Sequence, residues 1–181
     1  MIAHIAGGIL AFIPALVANP FAVVFGGGKP IDGSYTYKGK RILGDGKTWR
    51  GLFGGSILGG ALGFILNYLL SPWLKLYPHD WSSFLVVFSL SFGALLGDIG
   101  GSFIKRRIGK KRGEKLPIID QYDFVIGSFI LTNILAGDWF SKIYFEGGGW
   151  VTLLIIIIGV PILHRTVNIV GYKIGLKKEP W

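Results

Sequence analysis

Five long apolar stretches, separated by shorter polar ones, set the pattern of this chain. The first, Ile2 to Phe25, has no Lys or Arg before it and is interrupted by Pro14 and Pro20. A cleaved signal peptide has a basic leading region, so this stretch predicts a retained, kinked helix. Leu52 to Leu70 and Phe84 to Ile104 are each close to the roughly 20 residues that cross a bilayer core. A fourth stretch runs from Phe124 to about Phe140. The fifth, from Trp150 to Leu163, is apolar for only fourteen residues before His164 and Arg165. A helix continuing through those two would leave them at the membrane's inner edge or facing protein. The expected fold is therefore all-α: a polytopic membrane protein of about five transmembrane helices, in one integral membrane domain over residues 1–181.

Charge orients these spans. Six Lys or Arg fall between spans one and two, seven between three and four, and four after span five, while the opposite loops hold only Lys75 and Lys142. Seventeen of nineteen on one side predicts an outside N-terminus, a cytoplasmic C-terminus, and cytoplasmic loops at about 26–51 and 105–123. Trp73, Trp81, Trp139 and Trp150 then flank the outer helix ends, where interfacial aromatics belong. Composition agrees. A chain 51% hydrophobic and only 16% charged, with mean hydropathy +0.54, is too apolar for an ordinary soluble domain of this length. Its net charge of +9 sits in loops between apolar runs, which favours anionic lipid or a phosphorylated substrate over nucleic acid. The absence of cysteine excludes disulfides and thiolate metal sites.

Glycines 51, 55, 59 and 63 recur every fourth residue on the second span, as do glycines 93, 97 and 101 on the third. Such ridges predict close helix packing, with inner ends that would also admit a ligand to the backbone. Beside the second ridge lies Asp98, roughly 9 Å inside the basic edge at about 1.5 Å per residue. An ionisable residue at that depth needs a partner, a cavity or a metal. Helical spacing puts Asp98, Ser102 and Lys105 within about 60° on one face, so an ion pair between Asp98 and Lys105 is one reading.

At the other end of the following loop Pro117 precedes Asp120 and Asp123, three residues apart at the start of the fourth helix, where one helical turn would bring both acids together. They could cap the helix, Asp120 as N-cap and Asp123 against the dipole, or ligate a cation. Three carboxylates at one membrane edge, with no His or Cys cluster, favour a hard, oxygen-liganded ion such as Mg²⁺ at Asp98, Asp120 and Asp123. Between them lie Lys105, Arg106, Arg107, Lys110, Lys111, Arg112 and Lys115, more positive charge than three acids balance. Part of it is the cytoplasmic-side signal, and a polyphosphate would balance the remainder. The first loop adds GDGKTWRG, Gly44 to Gly51. It is not a P-loop, because Arg41 stands where the first glycine is needed. Even so, Gly44, Asp45, Gly46, Lys47, Thr48 and Arg50 before a helix offer backbone N–H groups and cations to an anion, or else simply form a turn.

Together GDGKTWRG before a glycine-rich helix, GD, SFIKRR, RGEKLPIIDQYDF, LHRTVN and LKKEPW resemble the CDP-archaeol synthase family of archaeal CTP-dependent lipid cytidylyltransferases along essentially the whole chain, and more distantly the CDP-diacylglycerol synthases. The resemblance implies a single catalytic membrane domain that moves CMP from CTP, with Mg²⁺, onto an unsaturated isoprenoid ether-lipid phosphate, 2,3-bis-O-geranylgeranylglyceryl phosphate. Pyrophosphate and CDP-archaeol would be released. Bacterial relatives carry a histidine and an arginine around the second acidic motif. PIIDQYD here keeps Asp120 and Asp123 and lacks both, so no role of theirs carries over.

Read this way, Asp98, Asp120 and Asp123 would hold Mg²⁺, and Lys105, Arg106 and Arg112 the triphosphate and lipid phosphate. Ser102 would hydrogen-bond a phosphate oxygen, and Gly44 to Arg50 would close over the nucleotide. Asn19, beside Pro20, would line the same cavity from below. A lipid phosphate needs no base, so His164 is expected to anchor the interface. Two alternatives compete. A CDP-alcohol phosphotransferase would need DGxxAR and two further spaced aspartates, which the chain lacks. A small transporter or lipid scramblase would use Asp98 on a permeation path, yet the charges cluster at one face.

Overall fold

The computed structural model describes residues 1–176; all of the C-terminal LKKEPW motif except Leu176 lies outside the described residues. Six helices form the described chain: α1 (Ile2–Ala11), α2 (Ile13–Phe25), α3 (Trp49–Leu70), α4 (Ser82–Arg107), α5 (Pro117–Tyr144) and α6 (Trp150–Lys173), with two short strands, β1 (Thr36–Tyr37) and β2 (Lys40–Arg41), between α2 and α3. The expected kink in the first span falls at Phe12, which ends α1 and begins α2. Pro14 sits in the first turn of α2, where its missing N–H is harmless. Counting α1 with α2 gives five helices long and apolar enough to cross a membrane. Large apolar side chains point outward from them, among them Ile57 (67% exposed), Ile134 (69%) and Ile158 (67%). Such a surface suits lipid and would be a liability in water.

Both glycine ridges are packing surfaces. Along α3, a Cβ at Gly55 would lie 2.6 Å from the Ala18 carbonyl, and one at Gly59 would lie 2.9 Å from that of Pro14. The first ridge thus seats α2 backbone directly on α3. On α4, a Cβ at Gly93 would meet the Gly127 carbonyl of α5 at 2.8 Å, and at Gly97 it would collide with the Asp123 carbonyl. Deep in the α4–α5 seam the Ser89 hydroxyl donates to Thr132 Oγ1 at 3.0 Å, a polar tie of the kind that holds helices together where apolar burial gives no preference.

Replacing Gly97 with Ala should therefore destabilise the bundle by about 1–3 kcal/mol, because backbone must move to admit the methyl group. Gly100, whose Cβ direction is open, is the control. There the same change should be neutral or slightly stabilising, as Ala exceeds Gly in helix propensity. Thermal unfolding in detergent measures both, and equal melting temperatures would contradict the packing account.

Two helices differ from their apolar stretches. α5 starts seven residues before Phe124, at Pro117, so Asp120 and Asp123 lie inside its first two turns. Its N-cap is Leu116, without a side-chain cap, which corrects the reading of Asp120 as N-cap. α5 also breaks helical geometry at Ala136, next to Gly137, a common place for a kink. α6 continues past Leu163 as expected, ten residues further to Lys173.

Candidate active site

The two basic loops meet at one end of the bundle. In the first, β1 and β2 pair Thr36 with Arg41 and Tyr37 with Lys40. Lys38 and Gly39 turn between them at φ of 50° and 72°, as a tight two-residue hairpin requires. At the base of this loop Asp32 is buried, 8% exposed. Its carboxylate accepts the Arg41 guanidinium at 2.8 and 3.3 Å and the N–H groups of Leu43, Gly44 and Ser34 at 3.0, 3.0 and 3.1 Å. Burial alone would raise the Asp32 carboxyl, but Arg41 and these N–H groups outweigh it and hold the group well below the usual carboxylate range. The loop docks on α4 through Arg107. Its guanidinium donates to the carbonyls of Arg41 (2.7 Å), Tyr37 (3.2 Å) and Lys40 (3.4 Å) and lies over the Tyr37 ring.

Two ion pairs bind the predicted acids. The Lys47 ammonium, at the end of the first loop, donates to Asp98 on α4. Lys105 on α4 donates to Asp120 on α5 at 2.7 Å, and the other Asp120 oxygen accepts the Leu116 N–H at 2.9 Å. The partner of Asp98 is thus Lys47, which corrects the alternative reading of a pair with Lys105, although Asp98 and Lys105 both border one chamber from α4. Asp123 accepts the N–H of Phe124 at 2.7 Å and lies against Gly101. A Cβ at Gly101 would stand 3.0 Å from Asp123 Cβ and Cγ, so the inner end of the second ridge makes room for a carboxylate of the protein itself.

Around these pairs open two adjoining cavities that share Lys105 and Gly113. One, of about 160 Å³, is bordered by Asp98, Asp120 and Asp123 together with Glu114, His164 and Asn168. The other, of about 290 Å³, is bordered by Lys47, Arg106, Arg112 and Ser102 and by Leu43, Gly44 and Gly46. One chamber is acidic and the other strongly basic.

Most sequence-predicted residues converge here, and four do not. Thr48 is the N-cap of α3, its buried hydroxyl accepting the Gly51 N–H at 3.1 Å. Asp45 pairs with Arg41 at 2.6 Å and is largely exposed. Neither they nor Arg50 nor Asn19 lines either cavity. The Gly44 N–H, expected to face an anion, is directed to Asp32. Five lining residues were not anticipated: Leu43, Gly113, Glu114, Asn168, and His164 as a cavity residue. His164 faces the acidic chamber and stacks on Phe124 with ring centroids 6.4 Å apart, which corrects its reading as an interfacial anchor. The available signals were the LHRTVN and RGEKLP segments that contain all of these but Leu43 and the four-residue spacing of His164 and Asn168 on one helix.

For a divalent cation the donors have the right chemistry, three carboxylates around one small chamber. Among the described residues, however, no three His, Cys, Asp or Glu side chains stand close enough to form a metal centre. Lys47 and Lys105 hold Asp98 and Asp120 instead.

A polar, charge-divided double chamber thus lies at one end of a bundle whose five long apolar helices suit a membrane. The family model described as CarS-like, CDP-archaeol synthase, matches residues 1–181. The chain is 49% identical over 178 residues to the CDP-archaeol synthase of Methanosarcina barkeri, covering 93% of this chain and 99% of that one. It is 45% identical over 177 residues to that of Picrophilus torridus, covering 96% and 95%. A solved structure of an intramembrane enzyme for archaeal membrane lipid biosynthesis shares the fold at a TM-score of 0.61 and 32% identity, over 83% of this chain and 90% of that one. The chain belongs to the CDP-archaeol synthase family.

Proposed function

We propose that this chain transfers CMP from CTP to 2,3-bis-O-geranylgeranylglyceryl phosphate at the cytoplasmic membrane face, with Mg²⁺, forming CDP-archaeol and pyrophosphate. The observation that carries the reading is the contact between a basic chamber and a carboxylate chamber at the basic end of the bundle. A lipid phosphate oxygen forms a bond to the α-phosphorus of CTP, and the bond from that phosphorus to the bridging oxygen breaks. The obstacle is repulsion between two anions, followed by charge on the departing pyrophosphate.

Arg106, Arg112 and Lys47 border the chamber suited to a triphosphate, and Ser102 adds a hydroxyl. Lys105, common to both chambers, can hold both anions at their meeting point. Mg²⁺ would be held by Asp98, Asp120 and Asp123 and would supply charge neutralisation at the phosphates. Phosphate then takes Lys47 and Lys105 from their aspartates, an exchange of one anion for another that leaves no ammonium unpaired. The geranylgeranyl chains lie along the outward apolar faces of the helices.

Purified protein incubated with labelled CTP, Mg²⁺ and lipid phosphates should release pyrophosphate only when the ether-lipid phosphate is present, and chelating the metal should abolish release. No release with any lipid would sink the synthase reading. In sealed vesicles, a tag at Trp181 should be accessible from the cytoplasmic side and one at Met1 should not. Both on one side would overturn the charge-based orientation.

A further inference from the structure

Resting on the CTP assignment, we propose that Asp32 is a positioning residue of the nucleotide site, shaping the basic chamber without touching the substrate. Asp32 lines neither chamber, yet a chain of contacts leads from it to the chamber wall. Its carboxylate takes the N–H groups of Leu43 and Gly44, both wall residues. The Gly44 carbonyl in turn accepts the N–H of Lys47 at 3.3 Å, closing the turn that carries Lys47. The Lys47 ammonium then donates to Asp98, which borders the acidic chamber. Gly44 adopts φ of 100°, a backbone state unfavourable for most residues and held here from one side by Asp32.

Arg41 completes the arrangement. Its fork grips both Asp32 oxygens while its own carbonyl is held by Arg107, so the loop's internal brace and its dock on α4 meet in one residue. Five donors converge on one buried carboxylate within a loop of otherwise basic character. Two of the five bonds, those from the Leu43 and Gly44 N–H groups, come from the chamber wall.

The test uses the full chain in detergent or nanodiscs. Asp32→Asn keeps the shape but replaces one acceptor oxygen by an N–H₂ group facing other donors. Misplacing a binding group by about 1 Å can weaken its contribution about 10²-fold. We expect the KM and dissociation constant for CTP to rise at least about tenfold, with kcat within about threefold and the KM for lipid phosphate unchanged. Arg41→Lys, which keeps charge and loses the fork, should shift CTP affinity in the same direction by less, and it decides the matter if Asp32→Asn cannot be purified folded.

Asp80→Asn is the control. Asp80 precedes α4 at its far end, its carboxylate accepting the Ser82 N–H at 2.8 Å and the Ser82 hydroxyl at 2.5 Å, so the change should touch folding at most and move neither KM. Wild-type protein that does not bind CTP would overturn the substrate assignment itself. Wild type that binds CTP alongside an Asp32→Asn variant of equal affinity would overturn only the role of Asp32. So would a variant in which both KM values and kcat deteriorate together.

Discussion

Changing Asp98 to Asn is expected to cut turnover at least about 10²-fold, the scale of losing one preorganised electrostatic contact at a reacting phosphate, and adding Lys47→Met should not restore it. In the resting protein Asp98 is paired with Lys47. If that pair were only a structural ion pair, removing one charge would strand the other, and removing both would relieve the penalty. The double variant would then recover. Under the proposed chemistry the two serve different partners, Lys47 the phosphate and Asp98 the Mg²⁺ that it would help to hold. Each loss then removes its own stabilisation of the transition state, so the double variant should be no faster than the slower single. Steady-state rates for wild type, both singles and the double, at saturating and limiting Mg²⁺, separate the cases. A double variant clearly faster than Asp98→Asn would make Asp98 a structural counter-ion.

Short-range physics decides how much of the fold is legible in the sequence. Span length, proline placement and glycine spacing are properties of one helix, so the five spans, the kink near Pro14 and both packing ridges can be read from the order of residues alone. The start of α5 is legible only in part: apolarity begins at Phe124, while the helix that the acids were expected to open begins a turn earlier at Pro117, where φ is already fixed and no N–H is needed. The β1–β2 hairpin is equally hidden. Strands of two residues have no periodicity to read, and the Lys38–Gly39 turn carries only half of the usual Asn-Gly signal.

The site shows the same division. Asp98, Ser102 and Lys105 share a face because their spacing is helical, but the partner of Asp98 sits 51 residues away in a loop. Which lysine pairs with which acid depends on how α3, α4 and α5 are rotated against each other, and that is set by packing. His164 and Asn168 enter the acidic chamber for the same reason. For Asp32 the local cue, Asp-Gly, announces only a turn, since four of its five donors lie nine to twelve residues downstream, beyond the β1–β2 hairpin turn.

Asp123 gives the other large expected effect, because two independent substitutions reach its carboxylate. Asp123→Asn is nearly isosteric and retains an oxygen for the Phe124 N–H, so the protein should fold while turnover falls at least about 10²-fold for want of the charge. Gly101→Ala leaves the charge in place and moves it. A methyl group there would stand 3.0 Å from Asp123 Cβ and Cγ and closer still to a carboxylate oxygen, so the side chain must rotate away or the helices must part. If the α4–α5 glycine ridge exists partly to seat this carboxylate, Gly101→Ala should approach the activity loss of Asp123→Asn. Its melting temperature should fall less than that of Gly97→Ala, where the obstacle is backbone and cannot turn aside. Rates under saturating CTP, lipid phosphate and Mg²⁺, set beside the two melting temperatures, decide it. Near-normal turnover in folded Gly101→Ala would show that the carboxylate position is not critical, and near-normal turnover in Asp123→Asn would remove Asp123 from the site.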